Sequence, residues 1–260
     1  MPYETVQFAS EGGVATITLA QPEKRNAISA QMIADLLGAL DETARGEARV
    51  LILTGAGKAF CAGMNLEELK ALAGKSAGQN LEDSRRMAHL FHRIYTFSKP
   101  VIAAVNGAAM AGGCGIATLA DFTLAVPEAK FGYTEVKIGF IPALVSVFLR
   151  RQIGEKRARD LLLSGRVIEA QEAHELGLVS EIVPAGRLLA RAQELAASLL
   201  AASPASMART KRLLIELQET ELQQELERAV RANAEIRSTA DFREGLAAFL
   251  EKREPRWTGR

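Results

Sequence analysis

Two glycine-rich stretches of this chain have the residue types and spacing to hold a developing negative charge. Asn106–Gly115, Asn-Gly-Ala-Ala-Met-Ala-Gly-Gly-Cys-Gly, follows the apolar run Pro100–Val105 and precedes Ile116–Ala120. It reads as a buried strand, a glycine-rich turn and the opening of a helix. Such a turn leaves the first N–H groups of the helix unpaired and pointing at whatever lies beyond, which favours an anion or an oxyanion. Gly107, Gly112, Gly113 and Gly115 also let a ligand approach the main chain, although the same composition serves close packing alone. The second stretch, Gly55–Asn65, follows the apolar run Val50–Thr54 and ends in Gly63-Met64-Asn65, with Asn65 suited to cap a helix over Leu66–Leu72.

Other reactive side chains point to less. His89 and His92 sit three apart on a helix, a spacing that suits a metal, but no third ligand is evident, and no metal site is expected. Cys61 and Cys114 lie in the two glycine loops with no base suggested beside them, so they read as small buried packing residues. The Gly-x-Ser-x-Gly signature of serine hydrolases is absent, although Ser146 falls near the expected pocket.

The elements that must position these loops alternate. Val6–Phe8 and Val14–Leu19 read as a hairpin, Ser29 as the N-cap of an amphipathic helix to about Ala44, and Leu81–Phe97 as a helix ahead of the strand Val101–Val105. Between them Gly74–Gln79, small and polar, reads as a mobile linker. Further strands are expected at Phe122–Val126 and Leu178–Val183, with helices near Val145–Arg151, Lys156–Leu163 and Ala170–Leu176. The β-loop-α alternation predicts an α/β fold with a parallel sheet and right-handed crossovers, where ligands sit beyond the carboxyl ends of strands. From Ala185 the pattern is helical throughout: Leu188–Ala202, Pro204–Glu216, Glu221–Arg237 and Asp241–Lys252. The stripe Leu222, Leu226, Val230 reads as core or subunit interface.

Composition narrows the function classes. At 260 residues the chain can bury a large core, and 32 basic against 31 acidic residues leave a net charge of +1, with no global field for nucleic acid or anionic membrane. Two cysteines make no disulfide framework, and Met1–Thr5 shows no leader pattern, so a cytoplasmic protein is expected. No apolar segment approaches the ~20 residues of a membrane span.

The two loops and their surroundings closely resemble the enoyl-CoA hydratase/isomerase (crotonase) superfamily. The resemblance runs in order through Lys24-Arg25-Asn26-Ala27, Leu51–Leu66, Pro100–Gly107, Ala111–Cys114, Phe131–Glu135, Gly139–Pro142 and Glu244–Arg253, nearly the whole chain. It implies a crotonase-like spiral of ββα units, with residues 1–195 as the core holding an acyl-CoA site. Residues 196–260 would then be a helical C-terminal region that covers the site and builds a homotrimer or homohexamer. It also implies an acyl-CoA thioester substrate, with coenzyme A part of that substrate and no separate cofactor. The oxyanion hole of the family is two backbone N–H groups, which fall on Met64 and Gly112. Positions that contact coenzyme A fall on Lys24, Arg25, Ala27 and Ala62, and on Phe249 and Lys252, often supplied by a neighbouring subunit. Charge at Lys24, Arg25 and Lys252 suits phosphates, though solvated surface charge explains each equally well. Where the family often has a lysine after the Asn65-Leu66 turn this chain has Glu67, and Lys70 is the cation one turn later.

The catalytic carboxyls are where the chain departs. Of the two glutamates used by the best-known hydratases of the family, one falls on Glu135 and the other on Gly115, which has no side chain to donate or accept. One carboxyl suffices for hydration of a 2,3 double bond and for moving a double bond by carrying a proton between C2 and C4. The Gly-Gly-x-Gly turn and Ile141-Pro142-Ala143 resemble hydratases of branched or glutaconyl-type esters, whereas loss of the second glutamate favours an isomerase. A non-catalytic acyl-CoA-binding protein on the same fold is the reading from another class, and without the motif Glu135 would read as a cap or a partner for a cation.

Overall fold

Apolar runs bounded by glycine do become buried strands, and they stack side by side. The computed structural model describes residues 3–72 and 74–260; Met1 and Pro2, part of the stretch read above for a leader, lie outside them. β1 (Val6–Glu11) and β2 (Val14–Leu19) form the expected antiparallel hairpin. α1 (Ala30–Arg45) starts where Ser29 accepts a hydrogen bond from the Met32 N–H, and buries Met32, Ile33, Leu36, Ala39 and Leu40 along one stripe. β3 (Val50–Gly55), β4 (Ala59–Cys61), α2 (Leu66–Leu72), α3 (Ala77–Tyr95) and β5 (Val101–Val105) follow. β5 is buried at every residue, as a strand covered on both faces should be. Next come β6 (Ala108–Met110), α4 (Gly112–Thr118), β7 (Phe122–Ala125), β8 (Lys130–Gly132), α5 (Ala143–Ile153) and α6 (Glu155–Ser164). Then β9 (Val167–Glu169), α7 (Ala170–Glu175) and β10 (Glu181–Ile182) lead into four helices, α8 (Leu188–Leu200), α9 (Pro204–Glu216), α10 (Glu219–Glu235) and α11 (Ala240–Glu251).

Two sheets result. The larger runs β1-β2-β3-β5-β7-β10 and is parallel from β2 onward, as the alternation predicts. The smaller, β4-β6-β8-β9, fits the ββα units that the resemblance implies, although the residue pattern alone gives its three-residue strands to loops. A further difference is the start of α3: Ser76 and Gln79 form a reciprocal capping box, so the helix begins at Ala77, inside the stretch read as a linker. The strand expected over Leu178–Val183 is shortened to Glu181 and Ile182, flanked by the Ser180 and Val183 N–H groups, which donate to the Thr123 and Ala125 carbonyls of β7 at 2.7 and 2.8 Å. The division at residue 195 falls within α8. In the C-terminal region α10 packs on α3 and α5, while α11 packs on the 3-10 turn Glu135–Ile138. No helix among the described residues is long and apolar enough to cross a membrane.

Candidate active site

The small sheet positions the site. β4, β6 and β8 run parallel and adjacent, about 4.8 Å apart strand to strand. Just past their carboxyl ends at Cys61, Met110 and Gly132 the chain delivers Met64, Gly112 and Glu135 in turn. All three residues line one cavity of about 630 Å³.

Local backbone geometry exposes the two N–H groups. Ile28 pairs across Met64, its N–H donating to the Gly63 carbonyl at 2.7 Å and its carbonyl accepting from the Asn65 N–H at 2.8 Å. Those bonds flank Met64 and leave its own N–H without an acceptor among the described residues. Gly63 sits at φ +90°, and a Cβ there would meet the Met110 carbonyl at 3.1 Å, so only glycine lets this loop close on the next. Gly112 is the first residue of α4, where an N–H has no intrahelical partner. Ahead of it Ala111 is held at φ 48°, ψ −123°, a conformation non-glycine residues rarely adopt, and its N–H donates to the Gly132 carbonyl at 2.7 Å. That bond ties the turn to the strand that leads to Glu135. Gly113 packs α4 onto β4 so closely that a Cβ would lie 2.5 Å from the Cys61 carbonyl.

Glu135 opens a short 3-10 turn and is buried, with Oε2 making no hydrogen bond among the described residues. Burial raises its carboxyl from 4.5 to about 7, opposed only by a bond from its own N–H. The thiols of Cys61 and Cys114 are buried and pushed up to about 12 by desolvation, so they stay protonated near neutral pH, in keeping with a packing role.

The space beside Gly115 is filled. A Cβ there would lie 2.8 Å from Val145 Cγ1 and 3.0 Å from Phe91 Cζ, and the Phe91 ring is itself held edge-on by Phe148 at 6.4 Å between centroids. An apolar wall therefore stands where the resemblance would put a second glutamate, leaving Glu135 as the carboxyl at this end of the cavity.

The remaining predicted contacts divide. Lys24, Arg25, Ala27, Ala62, Lys70 and Phe249 line the same cavity, and the Arg25 carbonyl accepts from the Ala62 N–H at 3.0 Å, joining the two loops. Lys252 caps the end of α11 and is not among the lining residues. Ser146 lies in a neighbouring groove, its hydroxyl donating to the Ala143 carbonyl. No three His, Cys, Asp or Glu side chains among the described residues cluster as metal ligands.

Sequence reading missed a polar wall of the cavity formed by Asp83, Asn233 and Arg237. The signal was in the stripe of α10: Leu222, Leu226 and Val230 continue at helical spacing through Asn233 and Arg237, so two polar residues occupy buried positions.

Comparison with known proteins gives the relatives of this chain. The family model described as enoyl-CoA hydratase/isomerase matches residues 9–260. A "Putative enoyl-CoA hydratase" of Thermus thermophilus is 48% identical over 248 residues, covering 95% of this chain and 98% of that protein. The 2,3-dehydroadipyl-CoA hydratase of Escherichia coli is 35% identical over 249 residues, covering 95% and 96%. The crystal structure of an enoyl-CoA hydratase/isomerase from Xanthobacter autotrophicus Py2 superposes with a TM-score of 0.89 at 30% identity, covering 99% of this chain and all of that one.

Proposed function

Because the chain belongs to the enoyl-CoA hydratase/isomerase family, we propose that it adds water across the 2,3 double bond of an enoyl-CoA thioester, with Glu135 as the single side-chain acid and base. The observation that carries this reading is the buried, unpartnered carboxyl of Glu135 in one cavity with the free N–H groups of Met64 and Gly112. Water bonds to C3 through its oxygen while Glu135 takes one of its protons, and the π pair moves toward the thioester oxygen. The two N–H groups hold the enolate charge that develops there, a donor of this kind being worth about 100- to 1000-fold in rate. Glu135 then returns the proton to C2 and the carbonyl re-forms, giving a 3-hydroxyacyl thioester. A carboxyl near 7 suits both transfers, because neither protonation state is far out of reach at neutral pH.

Coenzyme A enters as part of the substrate, its phosphates toward Lys24 and Arg25 and its chain along Ala27, Ala62 and Phe249, all on the cavity wall. Assembly as a homotrimer or homohexamer fits α9, which buries no residue of its own and leaves Leu213, Leu214 and Leu217 more than half exposed. A second reading, double-bond isomerisation by the same carboxyl, is favoured by the Val145–Phe91 wall, which excludes a second group to hold water.

Replacing Glu135 by Gln tests the reading. Hydration of crotonyl-CoA should fall by at least about 100-fold while the affinity for the ester, measured by calorimetry, stays within a few-fold. Unaltered turnover would refute it, and binding without turnover in the parent protein would make this an acyl-CoA-binding protein.

A further inference from the structure

Asn233 and Arg237 line the cavity and keep donors to spare. They are 5% and 2% exposed, yet both line the space that holds Glu135. Arg237 Nη1 donates to Asp83 Oδ2 at 2.7 Å and to Asn80 Oδ1 at 3.3 Å, and Nη2 donates to Asn233 Oδ1 at 2.8 Å. Arginine cannot accept, so the Asn233 oxygen must face it, and the Ser84 hydroxyl donates to the same oxygen at 2.8 Å. The amide orientation is thereby fixed. Asn233 Nδ2 is left with no acceptor among the described residues, and so is the buried Arg237 Nε.

The acceptors of the cluster are already used. Asp83 Oδ1 takes Lys75 at 3.3 Å and Arg86 at 3.4 Å, and Oδ2 takes Arg237. One carboxylate thus stands against three cations, of which Arg237 is the one that lines the cavity. The Arg237–Asp83 pair also fastens the turn that follows α10 to α3, but a fastening needs no unpaired donors. The guanidinium lies 5.6 Å over the Phe140 ring, and the Phe140 N–H donates to the Glu135 carbonyl at 3.1 Å, so this wall adjoins the turn that carries the acid.

We propose that Asn233 and Arg237 form a subsite for a carboxylate at the far end of the acyl chain, making the preferred substrates thioesters of dicarboxylic acids. Burial keeps Arg237 from the surface, where phosphates would meet it, so its ligand is a group carried in on the acyl chain. This rests on the acyl-CoA reading above for the identity of the ligand, though not on the hydration step.

Calorimetry of the full chain with saturated, unreactive pairs tests it: adipoyl-CoA against hexanoyl-CoA, and suberoyl-CoA against octanoyl-CoA. In at least one pair the carboxyl-ended ester should bind about 10-fold tighter or more, as a charge-assisted pair would give. Asn233→Asp keeps the oxygen that accepts from Ser84 and Arg237 and exchanges only Nδ2 for a second oxygen. It should bring the ratio to one or below, with a thermal melt confirming that the variant is folded. Equal affinities in the parent protein, or a preference that survives Asn233→Asp, would overturn the proposal. Turnover of the matching 2-enoyl esters reads the other claim separately: preference without hydration sinks the hydratase and keeps the subsite, and hydration without preference does the reverse.

Discussion

Glu135→Gln should change stability in a pH-dependent way, and the size follows from burial. The folded protein holds this carboxyl at about 7, against an ordinary value of 4.5. At about 1.4 kcal/mol for each pH decade, ionising it in place costs about 3 kcal/mol more than in the unfolded chain. The sign follows from proton counting. Between pH 4.5 and 7 the folded state keeps a proton that the unfolded state has released, so stability falls with rising pH across that window and is level above it. Glutamine cannot ionise and removes the penalty. About 2.5 kcal/mol of this develops between pH 5 and pH 8, so the difference in melting temperature, variant minus parent, should grow by about 5–10 °C over that range, using about 2–4 °C per kcal/mol for a chain of this size. Paired calorimetric scans at each pH cancel every other titrating group. A difference that stays flat with pH would refute the claim that Glu135 is buried without a partner.

The same group should govern rate. With Glu135 as base, kcat/KM should rise with pH to a plateau with an apparent pKa of about 7, and a profile level from pH 5 to 8 would contradict it. Gly115→Ala forces a methyl group into Val145 and Phe91 and should destabilise by about 1–3 kcal/mol on thermal denaturation; no loss would mean that the wall yields. Lys24→Ala and Arg25→Ala should each raise KM for a CoA ester about 3- to 10-fold at low salt, less at high salt, with kcat little changed. Steady-state kinetics at two ionic strengths checks this.

The larger sheet was legible because β3 and β5 are unbroken apolar runs, and the hairpin because β2 alternates. The smaller sheet was not legible in the residue pattern, although it delivers the site. Three residues such as Ala59–Cys61 or Ala108–Met110 are too few to display a period of two, and glycines on either side make them read as loop. Met64, Gly112 and Glu135 could still be picked out, because each sits in a long motif read in register. What fills the space beside Gly115 could not, since Phe91 comes from α3 and Val145 from α5, remote in sequence. Asn233 and Arg237 escaped for a different reason: polar residues on an amphipathic helix ordinarily face water, and only the stripe they continue betrays that these are buried.

The central claim is that one carboxyl performs both proton transfers, and a single carboxyl reaches the double bond from only one side. Hydration of crotonyl-CoA in deuterated water, followed by NMR of the 3-hydroxybutyryl product, reads this directly. The account predicts one deuterium at C2 on the same face as the new C3 hydroxyl. Deuterium on the opposite face or on both faces would mean that a second group delivers the proton, and a moved double bond with no water gained would make the protein an isomerase.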